Sequence, residues 1–172
     1  MLIIFGGLPG TGKTTIAKEV AKQLKAVYLR VDTIEQTLKN LNKYPAFSMI
    51  GPEGYEISYA IAKENLALGL DVVADSVNPI TITRQDWIEV AKYTNTPFFE
   101  IELICSNQKE HQRRVEERVA DIEGHNLPTW QDVLHRDYEP WETKSLTIDT
   151  SKCSINESVK IIMDCLAQNN AP

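Results

Sequence analysis

The sequence lacks the features of a secreted, membrane-spanning or disulfide-stabilised protein. Its 172 residues include only three cysteines, Cys105, Cys153 and Cys165, which form no CxxC pair and cannot all pair with one another. Such cysteine usage is typical of a reducing compartment. The first apolar run, residues 1–5, stops at two glycines, follows no basic segment and is too short for a signal peptide or a membrane span. We therefore expect a cytoplasmic protein with no membrane partner, no disulfide framework and no zinc site.

The chain also lacks an excess of positive charge. Its 18 Lys and Arg residues against 24 Asp and Glu residues give a net charge of −6, so no overall positive field attracts nucleic acid. The length and the 42% hydrophobic content fit a single globular domain over residues 1–172. Composition leaves the oligomeric state open between a monomer and a homodimer.

Short apolar runs alternate with longer amphipathic stretches, a pattern typical of β-α-β units around a parallel sheet. Strands are predicted over residues 2–5, 26–31, 71–74, 98–104 and 145–148. Helices are predicted over residues 13–24, 33–41, 55–68, 83–93, 108–121, 130–137 and 154–166. The irregular segments 43–54 and 122–129 are candidates for moving loops, because long loops in compact domains often serve binding. The chain is thus predicted to be an α/β protein.

The strongest motif is GLPGTGKT at residues 7–14, which fits G-x-x-x-x-G-K-[ST]. It lies after a buried strand and at the start of an amphipathic helix, where its glycines let backbone amides converge on phosphates. In this pattern Lys13 reaches the β- and γ-phosphates and the Thr14 hydroxyl ligates Mg²⁺. The alternative, a glycine-rich turn that binds nothing, requires a chance match. The predicted nucleotide-binding residues of the loop are Gly7, Leu8, Pro9, Gly10, Thr11, Gly12, Lys13, Thr14 and Thr15.

Two absences indicate which nucleotide chemistry the loop serves. The Asn-Lys-x-Asp element that reads guanine in GTPases is missing, which favours ATP as the nucleotide. The third predicted strand leads into Asp75, and Ser76 stands where an ATP-hydrolysing motor carries a second carboxylate. A kinase has no use for that carboxylate, because it must protect the γ-phosphate from water. Asp75 can still orient magnesium or contact the acceptor.

Asp32 closes the second predicted strand and is the candidate general base. The carboxyl ends of parallel strands share one edge of the sheet, so Asp32 and the phosphate loop are expected to open onto one crevice. There Asp32 can accept a proton from an attacking hydroxyl. Residues 32–35 also fit a capping box, with Asp32 as N-cap and Glu35 three residues later. Both interpretations remain open at this point.

Further acceptor contacts are predicted after the third strand. Ser76, Asn78 and Arg84 lie in the loop and first helical turn that leave the same sheet edge. They join Asp32, Glu35 and Asp75 as candidate acceptor-binding residues. Arg84 can equally be a surface residue near the start of a helix.

The helix predicted over residues 108–121 carries Arg113, Arg114 and Arg118. Arg114 and Arg118 are four residues apart and would share one helical face. Guanidinium groups on a closing segment stabilise charge on the transferred phosphoryl group and exclude water, so a lid is predicted at about residues 108–137. The alternative is a solvated helix with exchangeable ion pairs. Arg136 is a weaker candidate, and no catalytic role is predicted for the three histidines.

With these features in this order, the whole chain resembles the small P-loop kinases. This group includes predicted kinases classed with AAA-type ATP-binding proteins, adenylylsulfate and gluconate kinases, chloramphenicol phosphotransferase, zeta toxins and polynucleotide 5′-kinases. The resemblance implies a three-layer P-loop nucleoside triphosphate hydrolase fold with a five-stranded parallel sheet in the order 2-3-1-4-5. It implies transfer of the γ-phosphate of Mg-ATP to a hydroxyl, with Asp32 as base, Arg114 and Arg118 in the lid, and Thr150 near the adenine.

One departure from the family pattern bears on the acceptor. Several relatives with anionic acceptors place an arginine three residues after the base aspartate, and this chain has Glu35 there. Glu35, with other acidic residues expected nearby, favours a neutral or cationic small molecule such as a sugar or an aminoglycoside-like antibiotic. The alternatives are a polynucleotide or nucleoside 5′-hydroxyl kinase, and an ATP-binding regulatory or toxin-antitoxin protein without turnover.

Overall fold

A computed structural model describes residues 1–41 and 51–169, and a five-stranded parallel sheet forms its centre. The strands are β1 (Leu2–Gly6), β2 (Val27–Arg30), β3 (Val72–Asp75), β4 (Phe98–Ile104) and β5 (Leu146–Asp149). They pair in the order β2-β3-β1-β4-β5, so the predicted fold class and strand order are confirmed. Every residue of β1 is buried, as its unbroken apolar sequence predicts for a central strand covered on both faces.

Helices cover both faces of the sheet. They are α1 (Lys13–Leu24), α2 (Val31–Asn40), α3 (Glu53–Ala67), α4 (Thr81–Tyr93), α5 (Gln108–Glu117), α6 (Trp130–Leu134) and α7 (Ile155–Asn169). Alternate residues of β1 point to opposite faces. Ile3 and Phe5 pack in one core with α1 and α7, whereas Leu2 and Ile4 pack in the other with Trp87 of α4. None of the helices in the described ranges is long and apolar enough to cross a membrane.

The parallel register brings the ends of three strands to one edge. Asp75, at the end of β3, pairs with Phe5 of β1 on one side and with Arg30 of β2 on the other. The phosphate-loop segment follows β1 directly, and α2 follows β2 without an intervening loop. This edge is where open α/β sheets bind their ligands.

The structure excludes one open alternative and corrects one local prediction. Helix α2 starts at Val31 with Arg30 as N-cap and no side-chain cap bond, so residues 32–35 form no capping box. The helix starts one residue ahead of Asp32, at Val31, which is buried. Helix α5 ends at Glu117, and Arg118 takes an extended conformation with φ −67° and ψ 146°. Arg114 and Arg118 therefore do not share a helical face. Most of the irregular segment predicted at 43–54 lies outside the described residues.

Candidate active site

The phosphate loop depends on glycine at specific positions. Gly10 and Gly12 have φ angles of 87° and 83°, in the left-handed region that other residues rarely adopt. A Cβ atom on Gly10 would lie 2.5 Å from Cγ2 of Val115, so α5 packs directly against this glycine. Gly12 is the N-cap of α1. The loop thus holds its backbone close to the start of α1, where amides and the helix dipole favour an anion.

Lys13 and Asp75 form a buried ion pair beneath the loop. The Lys13 Nζ atom lies 2.7 Å from Asp75 Oδ1, and the Tyr28 hydroxyl donates to Asp75 Oδ2 at 2.6 Å. Asp75 is only 1% exposed. Burial by itself would raise the pKa of the Asp75 carboxyl, but the charge and hydrogen bond of Lys13, with help from Tyr28 and Thr14, hold that pKa below its usual value. Asp75 is therefore a fixed negative charge between Lys13 and Thr14.

His111 is a contact of the loop that the sequence analysis missed. It is buried on α5, and its Nε2 atom lies 2.8 Å from the carbonyl oxygen of Pro9. Its ring also meets the Trp130 ring edge-on, with centroids 5.2 Å apart. His111 therefore ties the phosphate loop to both α5 and α6, although nothing in its sequence spacing pointed to the loop.

A cavity of about 920 Å³ opens above the phosphate loop. Its walls come from residues 8–15, from the start of α2, from Tyr55 of α3 and from the segment that follows α5. The charged residues that line it are Lys13, Arg30, Asp32, Glu35, Lys39, Arg114, Glu117, Arg118, Asp121, Asp132 and Arg136. The described lining thus carries almost equal numbers of cationic and acidic side chains.

Asp32 and Glu35 lie together on the acceptor side of this cavity. The Asp32 side chain is 30% exposed, and its Oδ2 atom is 3.6 Å from Arg30 Nε. Glu35 packs so tightly against α3 that a Cβ atom on Gly54 would lie 2.4 Å from its Cγ. Burial, and secondarily the charge of Asp32, raise the pKa of Glu35 from 4.5 to about 7. Near neutral pH, Glu35 can therefore both donate and accept a hydrogen bond.

The lid arginines differ in their contacts. Arg114 donates to the hydroxyl and the carbonyl oxygen of Thr150 at 2.9 and 3.0 Å, and to Glu110 at 2.7 Å. Arg118 is half-buried in the cavity wall, and its Nε and Nη2 atoms have no hydrogen-bond partner among the described residues. Arg113 lies outside the cavity lining and binds Glu110 and Glu117 at the surface. Of the three, Arg118 has the donors best placed for a ligand.

The structure does not bring Arg84 to the cavity. Arg84 is 4% exposed, and its guanidinium stacks on the Trp141 ring with its Cζ atom 4.6 Å from the ring centroid. Its donors go to the backbone carbonyl groups of Asn78, Pro79, Glu139 and Pro140. Trp141 in turn packs on Gly6, where a Cβ atom would lie 2.0 Å from Cζ2 of the indole. Through Trp141, Arg84 thus supports Gly6, the residue that precedes the phosphate loop.

Ser76 and Asn78 are also buried behind the cavity and are absent from its lining. The Asn78 side chain donates to the Phe5 carbonyl oxygen at 2.8 Å, with a backbone φ of 49°. The Asn78 bond holds the end of β1 in place. Of the segment after β3, Val77 and Pro79 line the cavity, whereas Ser76, Asn78 and Arg84 do not. Sequence position gave the sheet edge but not the direction of these three side chains.

The residues present fit a magnesium nucleotide. The left-handed glycines leave room above the loop, and residues 8–15, Thr14 among them, line the cavity. Mg²⁺ usually takes one or two protein oxygens and completes its shell with phosphates and water. Thr14 and the buried carboxylate of Asp75 supply oxygens of this kind. Thr150, outside the lining, is fixed by Arg114.

Comparison with known proteins decides the family. Residues 2–136 match the model of a family described as an AAA domain. The chain belongs to this AAA domain family. This membership confirms the resemblance to the small P-loop kinases that the phosphate loop, Asp32 and the arginine helix indicated.

Individual relatives of this AAA domain protein are kinases. A cytidylate kinase from Pyrobaculum neutrophilum is 26% identical over 170 residues, covering 95% of this chain and 91% of the relative. An adenylyl-sulfate kinase from a Synechococcus strain is 26% identical over 165 residues, covering 94% and 91%. Kti12 from Chaetomium thermophilum, solved with ADP-AlF3, superposes with a TM-score of 0.73 at 22% identity over 100% of both chains. The relatives support a phosphotransferase that uses a nucleotide.

Proposed function

We propose that this protein transfers the γ-phosphate of Mg-ATP to a hydroxyl group of a small molecule. The observation that carries the proposal is that one cavity holds both the phosphate loop and Asp32, with Arg118 in its wall. A phosphoryl donor, a proton acceptor and a cation therefore face the same space. Phosphoryl transfer requires little else from a protein, because positioning and charge stabilisation supply most of the catalysis.

Each group has a distinct part in the transfer. The backbone amides of the loop between Gly10 and Thr15 and the Lys13 ammonium hold the β- and γ-phosphates, with Lys13 turning from Asp75 to the phosphates. Mg²⁺ would be held through the Thr14 hydroxyl, with Asp75 behind it, and would neutralise charge on the phosphates. Asp32 orients the acceptor hydroxyl and takes its proton as the oxygen bonds to the γ-phosphorus, while the bond from the γ-phosphorus to the β,γ-bridging oxygen breaks and ADP leaves. Arg118 stabilises the charge on the transferred group, and Arg114 holds the adenine-side loop at Thr150.

The acceptor is a small hydroxylated molecule such as a sugar, an aminoglycoside-like antibiotic or a related metabolite. Glu35 and Tyr55 line the cavity beside Asp32, and both carry groups that bind hydroxyls. Of the acidic residues expected near the acceptor, Glu35 joins Asp32 in the lining. Because Lys39 and Arg136 are also in the lining, acceptors of either charge have to be tested.

The test is a phosphotransfer assay with the full chain, Mg²⁺ and γ-labelled ATP. The acceptor panel contains neutral sugars, sugar acids, aminoglycosides, nucleosides, nucleoside monophosphates and a 5′-hydroxyl oligonucleotide. Label on a small hydroxyl compound supports the proposal. Label on the oligonucleotide alone supports a polynucleotide kinase, and label on nucleoside monophosphates alone supports a phosphate acceptor. Tight ATP binding with no transfer to any compound supports a regulatory ATP-binding protein.

Asp32→Asn tests the assigned base. The amide keeps the shape but cannot accept the proton, so the transfer rate should fall by ~10²–10⁴-fold. ATP affinity should stay within about 2-fold, because Asp32 has no part in phosphate binding. Since α2 uses no cap bond from Asp32, thermal stability should change little. A variant with full activity and lowered stability would contradict the assignment.

A further inference from the structure

Arg30 connects two parts of the cavity wall and has no role in the transfer described above. It ends β2 and is the N-cap of α2, with a side chain 10% exposed. Its Nη1 atom donates to Asp121 Oδ2 at 2.7 Å. Its Nε atom is buried, has no hydrogen-bond partner among the described residues, and faces Asp32 Oδ2 at 3.6 Å. One rigid guanidinium thus faces both the base and the segment after α5.

Asp121 belongs to the part of the cavity wall that carries Arg118 and His125. Lys18 of α1 donates to the same Oδ2 atom of Asp121 at 2.9 Å. The hydrogen bond from Arg30 is the main cause that holds the pKa of Asp121 well below its usual value, and the bond from Lys18 contributes less. Asp121 therefore stays ionised and bound at neutral pH. Lys18 is not in the cavity lining, and its contact does not reach Asp32.

We propose that Arg30 is a positioning residue that couples the lid segment to the base. Its planar guanidinium binds Asp121 with one nitrogen and presents a second nitrogen to Asp32, so the position of the segment after α5 fixes the direction of the Asp32 carboxylate. Arginine suits this task because its donors are held in a fixed fork, whereas lysine presents a single mobile charge. This inference rests on the proposed function, because Asp32 is the base only if a hydroxyl is phosphorylated.

The coupling has a mechanistic consequence. When Asp121 is bound, Arg118 lies in the cavity wall and Asp32 is oriented at the same time, so the phosphoryl group meets its stabilising charge only beside an oriented base. When Asp121 is released, the Arg30 guanidinium is free to move closer to Asp32, from the present 3.6 Å to a direct hydrogen-bonded ion pair. That pair would occupy the carboxylate and slow transfer to any acceptor, including water. The same residue therefore favours transfer in the closed arrangement and suppresses ATP hydrolysis in the open one.

The experiment compares Arg30→Met, Arg30→Lys, Asp121→Asn and the matched control Lys18→Met in the full chain. We expect Arg30→Met and Asp121→Asn to lower kcat by about 10-fold or more, with the ATP dissociation constant changed by less than about 2-fold. Arg30→Lys should recover only part of the rate. Lys18→Met should keep kcat within about 2-fold, because Arg30 still holds Asp121. A structural role alone would not separate kcat from ATP binding in this way.

Two readouts need no acceptor. Hydrogen exchange of residues 118–128 with Mg²⁺ and a non-hydrolysable ATP analogue should accelerate in Arg30→Met and Asp121→Asn and much less in Lys18→Met. The NMR signal of the Asp32 carboxyl carbon should shift in Asp121→Asn, although Asp121 does not contact Asp32. If Arg30→Met behaves like Lys18→Met in both readouts, the coupling is wrong. If both readouts change as expected but the wild-type chain phosphorylates nothing, the coupling stands and the proposed function fails.

Discussion

The two ends of the cavity are built in opposite ways. At the phosphate end, Lys13 and Asp75 are buried and joined at 2.7 Å, and the Tyr28 hydroxyl completes the contact. At the acceptor end, the Asp32 side chain is 30% exposed and that of Asp121 is 48% exposed. The ion pair of the phosphate end is buried at the edge of the sheet. The acceptor end instead depends on ion pairs between segments that meet at the surface.

This difference follows from what each end has to recognise. Every nucleoside triphosphate presents the same phosphates, so one arrangement of backbone amides and one lysine can bind them all. An acceptor has to enter, be recognised and leave, so its binding groups lie on segments whose opening costs little free energy. At the acceptor end, the Nε and Nη2 atoms of Arg118 have no hydrogen-bond partner among the described residues, whereas Lys13 and Asp75 are already paired with each other.

Lys13→Met is expected to give the largest effect, because it damages both function and core. Loss of the ammonium should lower phosphoryl transfer by at least ~10²–10³-fold. It also leaves the Asp75 carboxylate buried without its cation, which should lower the free energy of unfolding by about 3–5 kcal/mol. Assays of transfer and of denaturant unfolding measure the two losses separately.

The double variant Lys13→Met/Asp75→Asn separates the loss of phosphoryl transfer from the loss of stability. A neutral amide at position 75 no longer needs the ammonium, so much of the lost stability should return while activity does not. Lys22→Met on the same helix is the control, because Lys22 contacts only the exposed Glu19. Unchanged stability in Lys13→Met would show that the phosphate end is not the pre-formed buried unit that we describe.

Gly10→Ala tests the close packing of α5 against the phosphate loop. The added Cβ atom would lie 2.5 Å from Val115 Cγ2, and the φ of 87° is itself unfavourable for alanine. We expect a loss of about 1–3 kcal/mol in stability and a clear rise in the ATP dissociation constant, measured by calorimetry. Gly69→Ala is the matched control, because Gly69 has a φ of 80° but no atom within 4 Å of its Cβ position. It should lose stability through backbone strain alone and keep its ATP affinity.

The same contrast explains which features could be predicted from the sequence. The buried strands and the phosphate loop depend on local patterns, an apolar run followed by glycines and a lysine, so both were found, whereas the correct strand order came from the family resemblance. Helix α1 was predicted at its observed bounds for the same reason. Information that lies within one short segment is visible without the fold.

Contacts between distant segments were not predictable in this way. The Arg30 contact with Asp121 spans 91 positions of the sequence, and the His111 contact with Pro9 spans 102. Arg84 shows the opposite error, since its position after β3 suggested the acceptor but its side chain turns away to Trp141. Such pairs have no local pattern, because their partners are chosen by packing of the whole chain. The acceptor end consists mostly of these contacts, which is why its residues were harder to assign.

Glu35→Gln is expected to have the smallest effect, a pH-dependent change in stability. It tests how far the acceptor end differs from the phosphate end. The pKa of Glu35 is about 7 in the folded protein and near 4.5 when exposed, so the folded state holds its proton more tightly than the unfolded state. Stability therefore falls as pH rises between these values, and above about pH 7 the charged carboxyl is a net cost of folding.

Glutamine removes that cost, so Glu35→Gln should raise stability more at pH 8 than at pH 5. Thermal unfolding at both pH values, with the exposed Glu89→Gln as control, measures the difference. A gain at pH 8 together with weaker acceptor binding would mean that the acceptor end retains a costly carboxyl for recognition. If Glu35→Gln changes stability equally at both pH values, Glu35 is solvated like an ordinary surface residue. Its position beside Asp32 would then carry no special chemistry.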